Sequence, residues 1–168
     1  MRLLLVRHGP AEDRVAWRAL GKDDGSRPLT AEGRERTRAA LKGLSRVLDP
    51  PGVIATSPLV RAVETAAELA RAFRSGAPEV LPAIAPGEPP VAVTSWLASS
   101  RPVELVALVG HEPQLGRVAC WLLARTPEPF LALKKSGACL LDLGDRPRAG
   151  AARLVWMLAP AELRRLGR

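Results

Sequence analysis

Three short apolar runs, separated by stretches long enough to hold helices, constrain this chain most. Leu3-Leu4-Leu5-Val6, Val53-Ile54-Ala55-Thr56 and Leu105-Val106-Ala107-Leu108-Val109 each have the length of a strand. Such runs alternating with helical segments mark a layered α/β fold, and helices between strands imply mostly parallel pairing. In a parallel sheet, ligand chemistry belongs at the carboxyl ends of the strands. All three runs exit into residues able to hold an anion. The first leads into Arg7-His8-Gly9, the second into Ser57-Pro58-Leu59-Val60-Arg61, and the third into Gly110-His111-Glu112-Pro113. The only two histidines of the 168 residues therefore occupy equivalent strand exits.

The remaining elements follow from caps and periodicity. Residues 7–28 read as a long polar loop. Thr30 suits an N-cap, with Glu32 in the first turn, for a helix over 31–48 whose Ala40, Leu41, Leu44, Val47 and Leu48 recur at helical spacing. Ser57 is expected to cap a second helix, with Pro58 at the first position, where a missing N–H costs nothing. Val60, Val63, Ala67, Leu69 and Ala70 would form its buried face, and Gly76 and Pro78 would stop it. Glu79-Val80-Leu81 reads as a short edge strand and 82–90 as a proline-rich loop before a helix containing Trp96 and Leu97. Val103 to Val109 is apolar apart from Glu104, as suits a central strand. A helix from near Pro113 carries Leu115, Val118, Ala119, Leu122 and Leu123. Loop 125–136 then leads to strands Gly137–Leu143 and Ala151–Leu158, and a short helix follows Pro160. Neither a repeat nor a boundary interrupts this order, so 1–168 is expected to be one domain.

Charge narrows the partners. Four of the 25 basic residues are Lys, leaving 21 Arg, and the net charge is +8. Such a field attracts phosphorylated metabolites, acidic proteins and nucleic acid. Scattered arginines and few aromatic side chains to stack bases disfavour nucleic acid. Cys120 and Cys139 lie in apolar segments and are expected to be buried, reduced thiols; without paired ligand spacing they give no reason to expect a metal site. No apolar stretch approaches the roughly 20 residues of a membrane span, and the first apolar run is too short for a signal peptide. No membrane association is expected, and the expected location is cytoplasmic.

Phosphoryl transfer asks a protein mainly for in-line placement and neutralisation of the equatorial oxygens. Neutral imidazole attacks phosphorus and leaves again readily, which makes His8 the candidate nucleophile. Arg7 and Arg61 would disfavour its protonated form and match a phosphoryl group with forked donors. Arg61, in the first turn of its helix, would point back toward the strand mouth. His111 would supply a further donor.

Taken together, Arg7-His8-Gly9, Ser57-Pro58-x-x-Arg61-Ala62-x-Glu64-Thr65 and Gly110-His111 resemble the histidine phosphatase superfamily, the phosphoglycerate mutase-like proteins. Arg27-Pro28-Leu29-Thr30, Glu79-Val80-Leu81-Pro82 and the short length are similar to its SixA-type phosphohistidine phosphatase branch. The resemblance implies a three-layer α/β/α sandwich around a mostly parallel sheet and a phosphohistidine intermediate on His8. It also implies a phosphate pocket of Arg7, Arg61 and His111, with Ser57 and Glu64 beside it, and neither metal nor cofactor. Glu64, one turn from Arg61, is expected either to orient it or to serve a plain surface or helix-stabilising role. Many members place a glutamate acid after the third strand, where this chain has Leu81-Pro82-Ala83-Ile84. Asp24 is the leading substitute, with Glu88, Glu12, Asp13 or no protein acid as alternatives.

Leaving-group chemistry then separates the substrates. An alkoxide requires a positioned acid, typically worth about 100- to 10,000-fold, whereas the P–N bond of phosphohistidine breaks once its imidazole takes a proton that water can supply. A missing glutamate, and a segment 75–102 too short for much of a lid, favour a phosphohistidine-bearing protein as the phosphorylated substrate. A small-molecule phosphomonoesterase or mutase on the same machinery is the second reading. A non-catalytic phosphate- or nucleic-acid-binding module is the third.

Overall fold

Leu3, Leu4, Leu5 and Val6 are all completely buried, a condition that only a central strand covered on both faces satisfies. The computed structural model, which describes residues 1–99 and 103–168, places them in β1 (Arg2–Arg7). The sheet order is β3-β2-β4-β1-β5-β6, formed by β1 with β2 (Val53–Thr56), β3 (Glu79–Val80), β4 (Leu105–Gly110), β5 (Ala138–Asp142) and β6 (Arg153–Leu158). β1 to β4 run parallel, while β5 lies antiparallel to both β1 and β6. The expected mostly parallel sheet is therefore present.

Alternate side chains feed two cores. Leu3, Leu5, Val106, Leu108 and Leu141 pack with Val93 and Leu97 of α4 (Pro90–Ser99) and with Leu115, Val118 and Leu122 of α5 (Gln114–Ala124). On the other face, Leu4, Val6, Ala107, Val109 and Leu140 meet α2 (Ala31–Leu44), α3 (Val60–Phe73) and Leu163 of α6 (Pro160–Leu166). The result is the three-layer sandwich. Cys120 and Cys139 are buried and free, and burial pushes the Cys139 thiol up to about 12.

Several element boundaries differ from the sequence expectation. Residues 7–28 are not all loop, because Asp13 accepts a hydrogen bond from Ala16 N (2.9 Å) and caps a short helix, α1 (Arg14–Ala19). A 3-10 turn, Asp24–Ser26, follows, capped by Asp23. α2 ends at Leu44, so Val47 lies beyond it and is exposed. α3 starts at Val60 with Leu59 as N-cap, two residues beyond the expected Ser57. Its buried face is Arg61, Ala62, Thr65, Ala66, Glu68, Leu69, Ala70 and Phe73, which includes the expected Leu69 and Ala70; Val63 points outward. The small Ala62 and Ala66 let the helix approach the sheet, which turns Arg61 and Thr65 toward its carboxyl edge. Arg74, in the left-handed region at φ 52°, ends the helix before Gly76. At the end of the segment 75–102, residues 100–102 lie outside the described residues.

α6 lies across α2 at Gly43, where an added Cβ would sit on the Leu163 carbonyl oxygen. A backbone atom cannot step aside, so the helix pair must separate. Gly43→Ala is expected to cost about 1–3 kcal/mol despite alanine's better helix propensity. Thermal unfolding should register this as a fall in Tm of several degrees; an unchanged or higher Tm would contradict the contact.

Candidate active site

β1 and β4 are parallel neighbours with Arg7 opposite Gly110, so His8 and His111 leave the sheet side by side. Adjacent strands are spaced by about 4.8 Å, and the two ring centroids are 4.9 Å apart, tilted by 52°. β2 flanks β4 with Thr56 opposite Val109, which brings Ser57 in beside His111. Its Oγ lies 2.8 Å from His111 Nε2. Antiparallel β5 begins at this same edge, where Ser136 N donates to Arg7 O (3.1 Å) and His8 O (3.2 Å), and Lys135 is delivered to the site.

His8 is buried, and its Nδ1 lies 2.7 Å from Gly9 O. A carbonyl can only accept, so Nδ1 carries the proton and Nε2 keeps a free lone pair. Burial, with the charges of His111, Arg61 and Arg7, outweighs that hydrogen bond and lowers the pKa of His8 to about 3. The ring is neutral at pH 7. Gly9 completes the tripeptide because a Cβ there would fall on Thr37 Oγ1, and its N–H donates to Thr65 Oγ1 (3.1 Å). Burial and then Arg61 lower His111 to about 4. Ser57 Oγ accepts from Leu59 N (3.4 Å); donating its own proton to His111 Nε2 would leave the ring proton on Nδ1. That nitrogen is buried without a hydrogen-bond partner among the described residues.

Cations surround the pair. Arg7 Nη1 donates to Leu133 O (2.7 Å), and Leu133 N donates to Glu112 Oε1 (2.7 Å). Arg61 Nη1 and Nη2 donate to Asp24 O (2.8 Å) and Asp24 Oδ2 (3.1 Å). Arg27 Nε and Arg14 Nε approach Asp24 Oδ1 at 3.0 and 3.2 Å. Burial acts to raise the pKa of Asp24, but the Arg27 hydrogen bond and the charges of Arg61, Arg27 and Arg14 together hold it below the ordinary carboxyl value. It is a carboxylate at neutral pH. Arg7, His8, Arg61, His111, Arg27, Arg14, Asp24 and Lys135 line one cavity of about 640 Å³, within the range of small-molecule sites. The arrangement can neutralise a tetrahedral dianion while offering it a nucleophile.

Two sequence expectations are corrected. Glu64 does not orient Arg61: its Oε2 accepts from Leu29 N (2.7 Å) and its Oε1 from Arg34 Nη2 (2.6 Å), tying the chain after Pro28 to α3. Glu88 stays off the cavity lining, where Pro86 represents its loop, and its carbonyl accepts from Gln114 Nε2 (2.7 Å). Glu12 and Asp13 do line the cavity. Arg14, Arg27, Lys135 and Glu112 were not anticipated as site residues. Lys135 was in principle legible, standing just before a strand that must enter from the catalytic edge. Glu112 had no local signal, because its partner Leu133 is 21 residues away. Among the described residues, no group of three or more His, Cys, Asp or Glu side chains is placed to hold a metal ion.

The model of the histidine phosphatase superfamily (branch 1) matches residues 3–85. An uncharacterized protein of Picosynechococcus sp. is 37% identical over 157 residues, covering 92% of this chain and 88% of that protein. The structure of the protein histidine phosphatase SixA complexed with tungstate is similar at a TM-score of 0.80 and 25% identity, covering 97% of this chain and 99% of that one. A mycobacterial glucosyl-3-phosphoglycerate phosphatase shares the fold at a TM-score of 0.68 and 21% identity, over 94% and 98% of the two chains. The architecture is the phosphoglycerate mutase-like fold of SixA, and the family model together with the likeness to SixA supports a phosphatase. With paired histidines at adjacent strand exits, a cationic cavity around them and a matching family model, the chain belongs to the histidine phosphatase superfamily.

Proposed function

We propose that this phosphatase removes phosphate from phosphohistidine on proteins, through a phosphoryl intermediate on His8. One observation carries the reading: a neutral His8 presents a free Nε2 to a cavity whose carboxyls are mostly committed as ionised or hydrogen-bonded acceptors. Asp24 is clamped by three arginines, Asp13 caps α1, and Glu112 accepts from Leu133 N and Gly116 N. An imidazole leaving group tolerates this poverty of acids; an alkoxide does not.

Nε2 of His8 attacks phosphorus, the substrate's P–N bond breaks, and the departing imidazole takes a proton from water. Water then attacks phospho-His8, releasing inorganic phosphate and restoring the neutral ring. Arg7, Arg61, Arg27 and His111 stabilise the equatorial oxygens in both steps. Asp24 acts as a positioning residue that holds Arg61 and Arg27, in place of the proton donor the sequence suggested. Its salt bridge lies at a partly open site, so its value is geometric more than energetic.

A second reading, small-molecule phosphomonoester hydrolysis, is favoured by Glu12. This carboxyl lines the cavity and has no hydrogen bond or ion pair from its side chain among the described residues. The readings separate on Glu12→Gln and Asp24→Asn, assayed against a phosphohistidine-bearing phosphotransfer domain and a metabolite phosphomonoester panel. The proposal expects the domain as the preferred substrate and less than a threefold effect of Glu12→Gln upon it. It also expects Asp24→Asn to raise KM roughly tenfold without moving the alkaline limb of the pH profile. A 100-fold loss on phosphomonoesters in Glu12→Gln, with phosphomonoesters the better substrates, would establish the second reading.

The intermediate has its own signature. Wild type should carry an acid-labile, base-stable phosphoryl label that His8→Ala lacks. Because the lowered pKa keeps Nε2 unprotonated, initial labelling rates should hold from pH 8 to about pH 5 and decline only as pH approaches 3. A midpoint near 6.5 would mean that the ring is neither buried nor cation-flanked as described.

A further inference from the structure

We propose that α1 is the docking surface for the protein that carries the phosphohistidine, and that this partner presents an apolar patch rimmed by carboxylates; the inference rests on the reading of the site above. None of the six residues of α1 is buried. Among the described residues, Val15 (77% exposed) and Leu20 (67%) are the two most exposed large apolar side chains. Ala16 and Ala19 are exposed between them. Arg14, Arg18 and Lys22 frame these apolar groups, with no acidic residue between 14 and 22. Arg18 makes no ion pair among the described residues, so its charge is open to a partner.

The surface is held in place and joined to the cavity. Trp17 Nε1 donates to Asp23 O (3.0 Å) and approaches Ser26 Oγ (3.3 Å), while Lys22 Nζ stands 4.2 Å from the Trp17 ring centroid. Arg14 reaches Asp24, which holds Arg61. Ala11, Glu12, Asp13 and Arg14 form one wall of the cavity, whereas Val15, Arg18 and Leu20 do not line it. A small substrate inside the cavity gains nothing from those three side chains. A macromolecule whose phosphohistidine enters the cavity can cover them at the same time. Exposed apolar groups beside a binding site are a usual mark of protein association, and Arg18 and Lys22, which make no ion pair among the described residues although Asp23 and Asp24 lie nearby, favour an acidic partner. The exposed aliphatic groups have no counterpart in a phosphodiester backbone.

The experiment compares wild type with Val15→Asp/Leu20→Asp and with Arg18→Glu. Each is assayed on a phosphohistidine-bearing phosphotransfer domain and on a small chromogenic phosphomonoester. We expect at least a tenfold fall in kcat/KM for the domain, carried by KM, with turnover of the small substrate within twofold of wild type and Tm unchanged. Equal rates of wild type and variants on the domain would overturn the docking surface while leaving the proposed function intact. Failure of wild type itself on the domain would overturn both. Two further outcomes would overturn the assignment in favour of another occupant. One is binding to phosphatidylserine vesicles that the variants lose without a change in domain turnover. The other is a dimer that the variants dissociate without such a change.

Discussion

The whole site hangs on the register between β1 and β4. With Arg7 opposite Gly110, the next residues on the two strands emerge as neighbours, and a one-residue slip would send them to different heights and faces. Hydrophobic alternation cannot set this register, because both strands are apolar on both faces. The ends set it instead. At the amino edge, Arg2 N donates to Glu104 O (2.7 Å), and the Arg2 and Glu104 side chains pair at 2.9 Å. At the carboxyl edge, His8 N donates to Gly110 O (3.0 Å), and Gly110 is packed tightly against Leu115 and Ile84. The exposed ion pair contributes little energy, about 0–1 kcal/mol, yet it distinguishes the native register from its neighbours.

Crowding arginines around two imidazoles creates repulsion that the fold must offset. Asp24 does so by accepting from Arg14, Arg27 and Arg61 together, which keeps Arg61 aimed at the cavity. Glu112 does so by a longer route: it fixes Leu133, whose carbonyl holds Arg7. A Cβ on Gly116 would meet the Leu131 carbonyl and the Glu112 carboxylate, so loop and helix are already in close contact there. The cations are thus anchored through one or two donors each. Among the described residues, the Nε groups of Arg7 and Arg61 are buried without a hydrogen-bond partner.

How much of this was legible depended on whether the signal was local. The three strand exits could be read because apolar runs and topology fix them without side-chain detail. Serine before proline satisfies the capping rule at Ser57, yet the helix starts at Val60; the Ser57 hydroxyl accepts from Leu59 N at 3.4 Å and also reaches His111 at 2.8 Å, a tertiary contact that local propensity does not show. Glu64 lies one turn from Arg61, but spacing cannot choose between Arg61 and Leu29 as its partner. Asp24 lines the cavity, and its pKa lies below the ordinary carboxyl value. Its ionisation is set by Arg14, Arg27 and Arg61 jointly, and no window of sequence shows that convergence. α1 escaped notice because one cap, Asp13, is its only strong local signal in a polar stretch.

In the proposed reaction, the same field would let a ring that refuses a proton accept a phosphoryl group. Protonating His8 would place a cation in a buried pocket already holding Arg7, Arg61 and Arg27, so the proton affinity falls. Phosphorylating it places an anionic group at that point, so the contribution of each surrounding guanidinium reverses sign, while burial still opposes charge and Gly9 O still accepts from Nδ1. Substrate phosphohistidine in water lacks those cations, so transfer onto His8 exchanges solvent for preorganised guanidinium groups. Hydrolysis of the intermediate then regenerates a neutral ring that the pocket again keeps unprotonated. In the proposed reaction, nucleophile and leaving group are the same heterocycle, and the direction of transfer is set by the charges that surround each.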